Sequence, residues 1–368
     1  MFQEAVRKFA EARIKPRAAE IDRTGQFPLE LIEEMASLGY FGVPYPNQYG
    51  GGAAGYVNYS LLIEQLCRAA MVTGAVIAVN SLAEESLFHF GNEQQKEKFL
   101  FPLALGKYLG CFGFTDPATG SDPRAISTTA RPEGKNYFIT GTKNFVSLSP
   151  IARLAIIFAK DDTGRVSAFI TDTSSDEFIV HEPYETLGLR GLRTSEVYLD
   201  NLSVPEENLL GKKGDGFEIL LEAISVERLG VAAQSLGVAQ AALGLSIDYA
   251  RQRKALGKSI AELPTIQWLL AEMASRIEAA RWLTYRVAFL RDRGLSIRYE
   301  SAIAKLFASQ MSVEVTRMAM QVHGSYGLVK TSPVERLYRD AKMAEVYVGV
   351  SEIQRVIIAT HLMRQDGE

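Results

Sequence analysis

The chain has 368 residues, of which 47% are hydrophobic and 23% charged, and a net charge of -3. This is the composition of a globular protein long enough for two or three packed sub-domains, and it excludes a strongly basic binder of nucleic acid or anionic membrane. No uninterrupted apolar run approaches the about 18 residues of a membrane span; Cys67 and Cys111 are too few for a disulfide framework, and the four histidines show no metal-ligand spacing.

From Phe2 to about Lys107 the periodicity is helical, as in Val57, Leu61, Leu62, Gln65 and Leu66. The first residues, MFQEAVRKFAEARIKPRAAEID, already form an amphipathic pattern with acids among the bases. They are not a secretory signal, and the native start is expected a little upstream. With only Cys67 and Cys111, a reducing, cytoplasmic compartment is expected. Residues 50–55 spell G-x-G-x-x-G, but Pro44 and Pro46 stand where a strand is needed and no acid follows near Ala75–Ala78. The dinucleotide reading fails, and the stretch is expected to be a flexible surface loop.

Between Leu109 and about Gly214 short β-branched and aromatic runs alternate with turn residues, as in a small antiparallel barrel or sandwich. Long helical patterns return at Gly216 and continue to about Arg364. In this last zone Gly230, Gly237 and Gly244 recur every seven residues, on one stripe of a helix, where missing side chains let another helix approach. The expected fold class is α+β: an N-terminal helical domain (1–108), a middle β domain (109–214) and a C-terminal helical bundle (215–368).

The segment Cys111-Phe-Gly-Phe-Thr-Asp-Pro-Ala-Thr-Gly-Ser-Asp122 breaks a β-run into a tight turn rich in hydroxyls and free N–H groups. It resembles the first signature of the acyl-CoA dehydrogenase family. Four further stretches match that family in order: Gly141-Thr-Lys-Asn-Phe-Val-Ser147; Leu187-Gly-Leu-Arg-Gly191 with Val204-Pro-Glu-Glu-Asn-Leu-Leu-Gly211; Tyr249-Ala-Arg-Gln-Arg-Lys-Ala-Leu-Gly-Lys258; and Pro333-Val-Glu-Arg-Leu-Tyr-Arg-Asp-Ala-Lys342 with Ser351-Glu-Ile-Gln-Arg355. The resemblance implies the family's α/β/α layout with a C-terminal four-helix bundle, FAD as cofactor and α,β-desaturation of an acyl-CoA thioester.

Residue by residue, the resemblance puts Phe114, Thr115 and Ser121 against the flavin or the substrate beside it. Phe145 and Ser147 stand on the strand that backs the ring. Arg253 reaches the FAD diphosphate from a neighbouring subunit, where a guanidinium fork suits phosphate oxygens, and Gln321 and Gly324 grip the same region. Leu256, Pro264, Ser325 and Val350 depart from the usual residues at their positions. A homotetramer built as a dimer of dimers and electron-transfer flavoprotein as electron acceptor are implied too.

The reaction needs a carboxylate to take the α-proton and a donor to polarise the thioester carbonyl. Many family members carry the carboxylate in Y-E-G-T, but here the stretch reads Tyr347-Val348-Gly349-Val350. Valine cannot accept a proton. Some branches, including the isovaleryl-CoA dehydrogenases, place the glutamate on the long helix before an arginine, which here is Glu227 before Arg228. Glu227 is the candidate base, Arg228 orders the helix and loop, and the backbone of Val348 and Gly349 remains available to the thioester oxygen. Glu84 and Glu85 are the rival site, as base or as partner of a polar acyl tail. Val348 in place of a carboxylate leaves an apolar wall, which suits a branched or cyclic acyl group. Alternatives are a flavoenzyme acting on carrier-bound acyl groups, a reductase, and a degenerate flavoprotein scaffold.

Overall fold

The computed structural model describes residues 1–365. Seven helices come first: α1 (Phe2–Phe9), α2 (Ala18–Thr24), α3 (Leu29–Ser37), α4 (Gly55–Ala69), α5 (Met71–Phe90), α6 (Glu93–Gln95) and α7 (Phe101–Ala104). Val6, Ala10 and Ile14 are buried along the first of these turns, as the amphipathic pattern predicts.

Eight strands follow: β1 (Gly110–Gly113), β2 (Thr129–Glu133), β3 (Asn136–Ser147), β4 (Leu154–Lys160), β5 (Val166–Asp172), β6 (Phe178–Val180), β7 (Thr194–Pro205) and β8 (Leu209–Leu210). They form one sheet in the order β6-β7-β3-β2-β4-β5-β8, with β1 against β4. The sheet is mixed rather than purely antiparallel, because β1 and β2 both meet β4 in parallel. β1 leaves the helical domain directly beneath α5, where the Asn80 side chain accepts the Gly110 N–H at 2.7 Å.

The C-terminal domain is built on α8 (Gly216–Gln252), α9 (Pro264–Asp292), α10 (Arg298–His323) and α11 (Pro333–Val346), with α12 (Ser351–Gln365) against α10. Every residue of α8 from Ser225 to Ala239 is buried, since α4, α5, α10 and α11 surround it. Helices α5 and α8 are apolar and long enough to cross a membrane, but the apolar windows are 89% and 67% buried inside the protein, which makes them core helices.

Two of the three spaced glycines do what their stripe predicts. A Cβ on Gly237 would lie 2.3 Å from the Glu64 carbonyl oxygen of α4, and one on Gly230 would meet Ala78 of α5 at 3.2 Å. Gly244 differs, since a Cβ there meets nothing within 4 Å. The 50–55 loop also departs from expectation. It is a loop, but a closely tied one: Gly52, Ala53 and Ala54 donate to Gly42, Tyr45 and Val43, and a Cβ on Gly51 would fall 2.1 Å from the Tyr45 carbonyl oxygen. Asp292 of α9 accepts the Tyr56 and Val57 N–H groups and so caps α4 from a distant segment.

Gly237→Ala should lower stability by about 1–3 kcal/mol, because the backbone of α4 must yield. Gly244→Ala should be neutral or stabilising by up to about 1 kcal/mol from helix propensity. Urea unfolding of both variants checks the contrast.

Candidate active site

Glu227 lies in the fully buried stretch of α8. It is 0% exposed, neither carboxyl oxygen has a hydrogen-bond partner, and burial drives its pKa well above the ordinary carboxylate range. The point one Cβ beyond Gly230 lies 3.2 Å from Ala78, 3.3 Å from the Tyr59 hydroxyl and 3.7 Å from the Glu227 carboxylate. The Tyr59 hydroxyl is paired with Ser81 at 2.9 Å. From the other side comes Tyr347, whose hydroxyl donates to Gln234 Oε1 at 2.6 Å, two turns further along α8. Glu227, Arg228, Tyr347, Val348 and Gly349 thus meet at the junction of α4, α5, α8 and the turn after α11.

Arg228, 5% exposed, ends with an unpaired Nε, and its pKa falls to about 10 through burial and the charge of Arg298. It makes no ion pair among the described residues.

The rival pair separates into two kinds of group. Glu85 accepts from Tyr45 at 2.8 Å, Tyr56 at 2.7 Å and Arg291 at 3.0 Å. Burial alone would raise its pKa, but His89, Arg291 and Tyr56 hold it below the usual value. Arg291 also bonds Glu222 at 2.5 Å, so Glu85 is a structural knot tying α4, α5, α8 and α9. Glu84 is buried without a partner, and burial together with the neighbouring Glu85 charge pushes it well up. Asn80, one turn earlier on α5, and Tyr45 pull the other way but more weakly.

A second group sits on the β domain. Phe145 is 67% exposed at φ +56°, within a bulge where the β3–β7 register shifts between Lys143 and Val146. Its ring meets Tyr184 at 5.0 Å. An exposed aromatic in a strained conformation marks a surface held for something else. Ser147 pairs with Thr194 at 2.9 Å, and Phe114 and Thr115 are half-buried beside it. Beneath them, fully buried Lys143 donates to the Phe114 carbonyl at 3.2 Å and to Asp116 at 2.5 Å. Asp116 in turn accepts from Ser127 and Thr128. Burial takes the Lys143 pKa down to about 8 against the pull of Asp116. This buried pair holds the 114–128 turn, and Ser121 stands exposed on it.

The third group is remote. Arg253 closes α8, and Gln321 and Gly324 lie at the end of α10, brought beside it by the stacking of Tyr249 on His323 at 4.4 Å. All three are exposed. From Glu227 to Arg253 is 26 residues of one helix, about 39 Å at 1.5 Å per residue. Within one chain these two ends are far apart. A cavity of about 1200 Å³ is elsewhere again, between the N-terminal helices, the second half of α8 and residues 330–339.

The whole length of the chain matches known proteins. The acyl-CoA dehydrogenase N-terminal, middle and C-terminal domain models match residues 1–107, 111–202 and 214–363. The chain belongs to the acyl-CoA dehydrogenase family. An acyl-CoA dehydrogenase of Bacillus subtilis (strain 168) is 43% identical over 99% of the chain and 97% of its own length. The caffeyl-CoA reductase–Etf complex subunit CarC of Acetobacterium woodii is 37% identical over 99% and 98%. The butyryl-CoA dehydrogenase structure from Megasphaera elsdenii superposes with a TM-score of 0.97 at 35% identity, covering 99% of this chain and 97% of that one.

As an acyl-CoA dehydrogenase the protein is an FAD-dependent oxidoreductase. The β-domain surface fits a flavin: an outward aromatic on a bulge, hydroxyls of Ser147 and Thr194 beside it, and the unpaired buried oxygen of Asn144 next to the ring. Sequence reasoning missed Tyr59, Gln234, Lys143 with Asp116, and Lys305. Lys143 and Asp116 lie inside quoted motifs, yet nothing local shows that they pair.

Glu227 has a higher pKa folded than unfolded, so its contribution to stability is complete below the unfolded value and is lost as pH rises through the folded one. Glu227→Leu should therefore gain stability on wild type from mildly acidic to mildly alkaline pH, by about 1–3 kcal/mol at the alkaline end. Urea titrations at the two pH values measure the gap.

Proposed function

We propose that this enzyme desaturates an acyl-CoA thioester between its α and β carbons, with Glu227 as the base. The observation carrying the assignment of the base is the unpaired, enclosed carboxyl of Glu227 beside the Tyr347–Val350 turn, in a chain whose turn has no carboxylate of its own. A desolvated carboxylate is a stronger base than one in water, so a raised pKa suits abstraction of a weakly acidic α-proton. The chemistry FAD supplies when bound is acceptance of the β-hydride. Phe114, Thr115, Phe145 and Ser147 would hold its ring, and the free N–H groups of the Val348–Gly349 turn would polarise the thioester carbonyl. Arg228 keeps helix and turn in place. Apolar Val348 in the wall supports a branched or cyclic acyl group.

The cofactor's diphosphate would be held by Arg253, Gln321 and Gly324 of a neighbouring subunit, in a dimer of dimers. Two observations support a shared site: the separation of about 39 Å along α8, and the exposed apolar side chains of this domain, with Leu256 at 89%, Trp282 at 71% and Leu328 at 71%. Electron-transfer flavoprotein is the proposed electron acceptor, in line with the name of the Acetobacterium woodii relative. That name also supports a second reading, in which the same site runs backwards and saturates an enoyl thioester. A cytoplasmic location completes the proposal, supported by two buried cysteines that remain unpaired.

Anaerobic titration with straight, branched and cyclic acyl-CoA esters, following flavin absorbance, tests the reaction. One ester class should bleach the wild type, while Glu227→Gln binds it and bleaches at least about 10³-fold more slowly. Normal bleaching by the variant would remove Glu227 as base and turn attention to Glu84. In the active wild type, the acidic limb of kcat/KM should lie above the ordinary carboxylate value of about 4.3. Arg253→Leu should purify with less FAD at unchanged Glu227 chemistry per bound flavin; full flavin content would count against the shared site.

A further inference from the structure

We propose that Lys305 is a positioning residue for this reaction: with Gln354 it fixes the Tyr347–Val350 turn so that the free N–H groups of the turn face the acyl thioester. The inference rests on the functional reading above. Lys305 lies in the first half of α10, 0% exposed, and no carboxylate pairs with it among the described residues. Its ammonium donates instead to two backbone carbonyls, Gly349 at 2.7 Å and Glu345 at 3.3 Å. Gln354 Nε2 donates to the same Gly349 oxygen at 2.9 Å and to that of Val348 at 3.2 Å.

Burying an ammonium with only carbonyl partners is costly. Burial and the charge of Arg228 take the Lys305 pKa down to about 7, with Glu345 and Glu352 pulling the other way. Methionine would fill the same space without that cost, so the packing of α10 does not explain the lysine. The shape of the turn does. Val348 has φ +57°, a conformation β-branched residues avoid, and Gly349 has φ +87°. Such a turn persists only when its surroundings hold it.

The four contacts supply that hold. A trans peptide points its N–H opposite its carbonyl, so pinning the Val348 and Gly349 oxygens turns the Gly349 and Val350 N–H groups away from Lys305. The N–H groups of Val348, Gly349 and Val350 make no hydrogen bond among the described residues. Tyr347, anchored to Gln234, places this donor face on the α8 stripe that carries Glu227. Lys305 also sits at the C-terminal end of α11, where it satisfies the Glu345 carbonyl, one of the last-turn acceptors.

FAD-loaded Lys305→Met, Lys305→Gln and Gln354→Leu test this beside wild type. By hydrogen–deuterium exchange, residues 344–350 should exchange about tenfold faster in Lys305→Met, with α8 and α10 unchanged. With butyryl-CoA, or the best ester of the panel, kcat should fall about 10²-fold while KM moves less than about threefold, as for loss of a transition-state donor. Lys305→Gln, which keeps a donor, should recover part of kcat. Wild-type exchange in both Lys305→Met and Gln354→Leu overturns the proposal, as does a loosened turn with kcat intact. Should Lys305→Met not fold, Gln354→Leu must show the same kcat loss or the proposal falls. A wild type that oxidises no ester sinks the functional reading instead, and the exchange arm alone then decides whether Lys305 pins the turn.

Discussion

The close approach of α8 to α4 and α5 is the contact on which the rest depends. It depends on residues 230 and 237 having no side chain: a methyl group at 237 would lie 2.3 Å from a backbone oxygen, well inside van der Waals contact, and one at 230 would crowd Ala78. Every residue of α8 from Ser225 to Ala239 is buried there, so a polar side chain on that stretch is removed from solvent. Glu227 stands there. The packing that gives the N- and C-terminal domains a common core thereby makes an ordinary acid into a reluctant one, and a carboxyl that resists ionising is what proton abstraction from carbon requires. On the proposed mechanism core and chemistry share one contact, and the protein carries an unpaired carboxyl as a result.

The same solution appears twice in the way turns are held. Lys143 in the β domain and Lys305 in the helical bundle are both fully buried, both have depressed pKa values, and both spend their donors on backbone carbonyls of a turn beside the proposed reaction space. Lys143 has a carboxylate to share the load; Lys305 does not. Positive φ values at Phe145 and Val348 lie next to these two anchors. Strain and the buried cation that sustains it occur as a pair in each domain.

Much of this was legible in the sequence, for physical reasons. The change from helical period to short β-branched runs and back placed the three zones, because periodicity records which faces are buried. The missing carboxylate at 348 and the one present at 227 could be read together because both lie in quoted stretches. Other features depend on partners far away in the chain. Adjacent Glu84 and Glu85 look equivalent, but Arg291, which helps hold the pKa of only the second one down, is some two hundred residues distant. The glycine-rich loop read as flexible because glycine permits freedom, whereas here it permits backbone to approach backbone. Gly244 shares the stripe of Gly230 and Gly237, but it extends beyond their α4 and α5 neighbours. Lys305 in Ala302-Ile-Ala-Lys-Leu-Phe reads as a snorkelling side chain, and its carbonyl partners cannot be inferred locally.

The length of α8 has a consequence in genetics. On the proposed shared site, each cofactor is served by Glu227 of one chain and Arg253 of another, so a lesion at either end of the helix damages different sites. In a dimer pairing a chain altered at Glu227 with one altered at Arg253, one site collects both lesions and the other collects neither. Two inactive alleles would then restore activity when expressed together, a complementation that a chain building its site alone could never show.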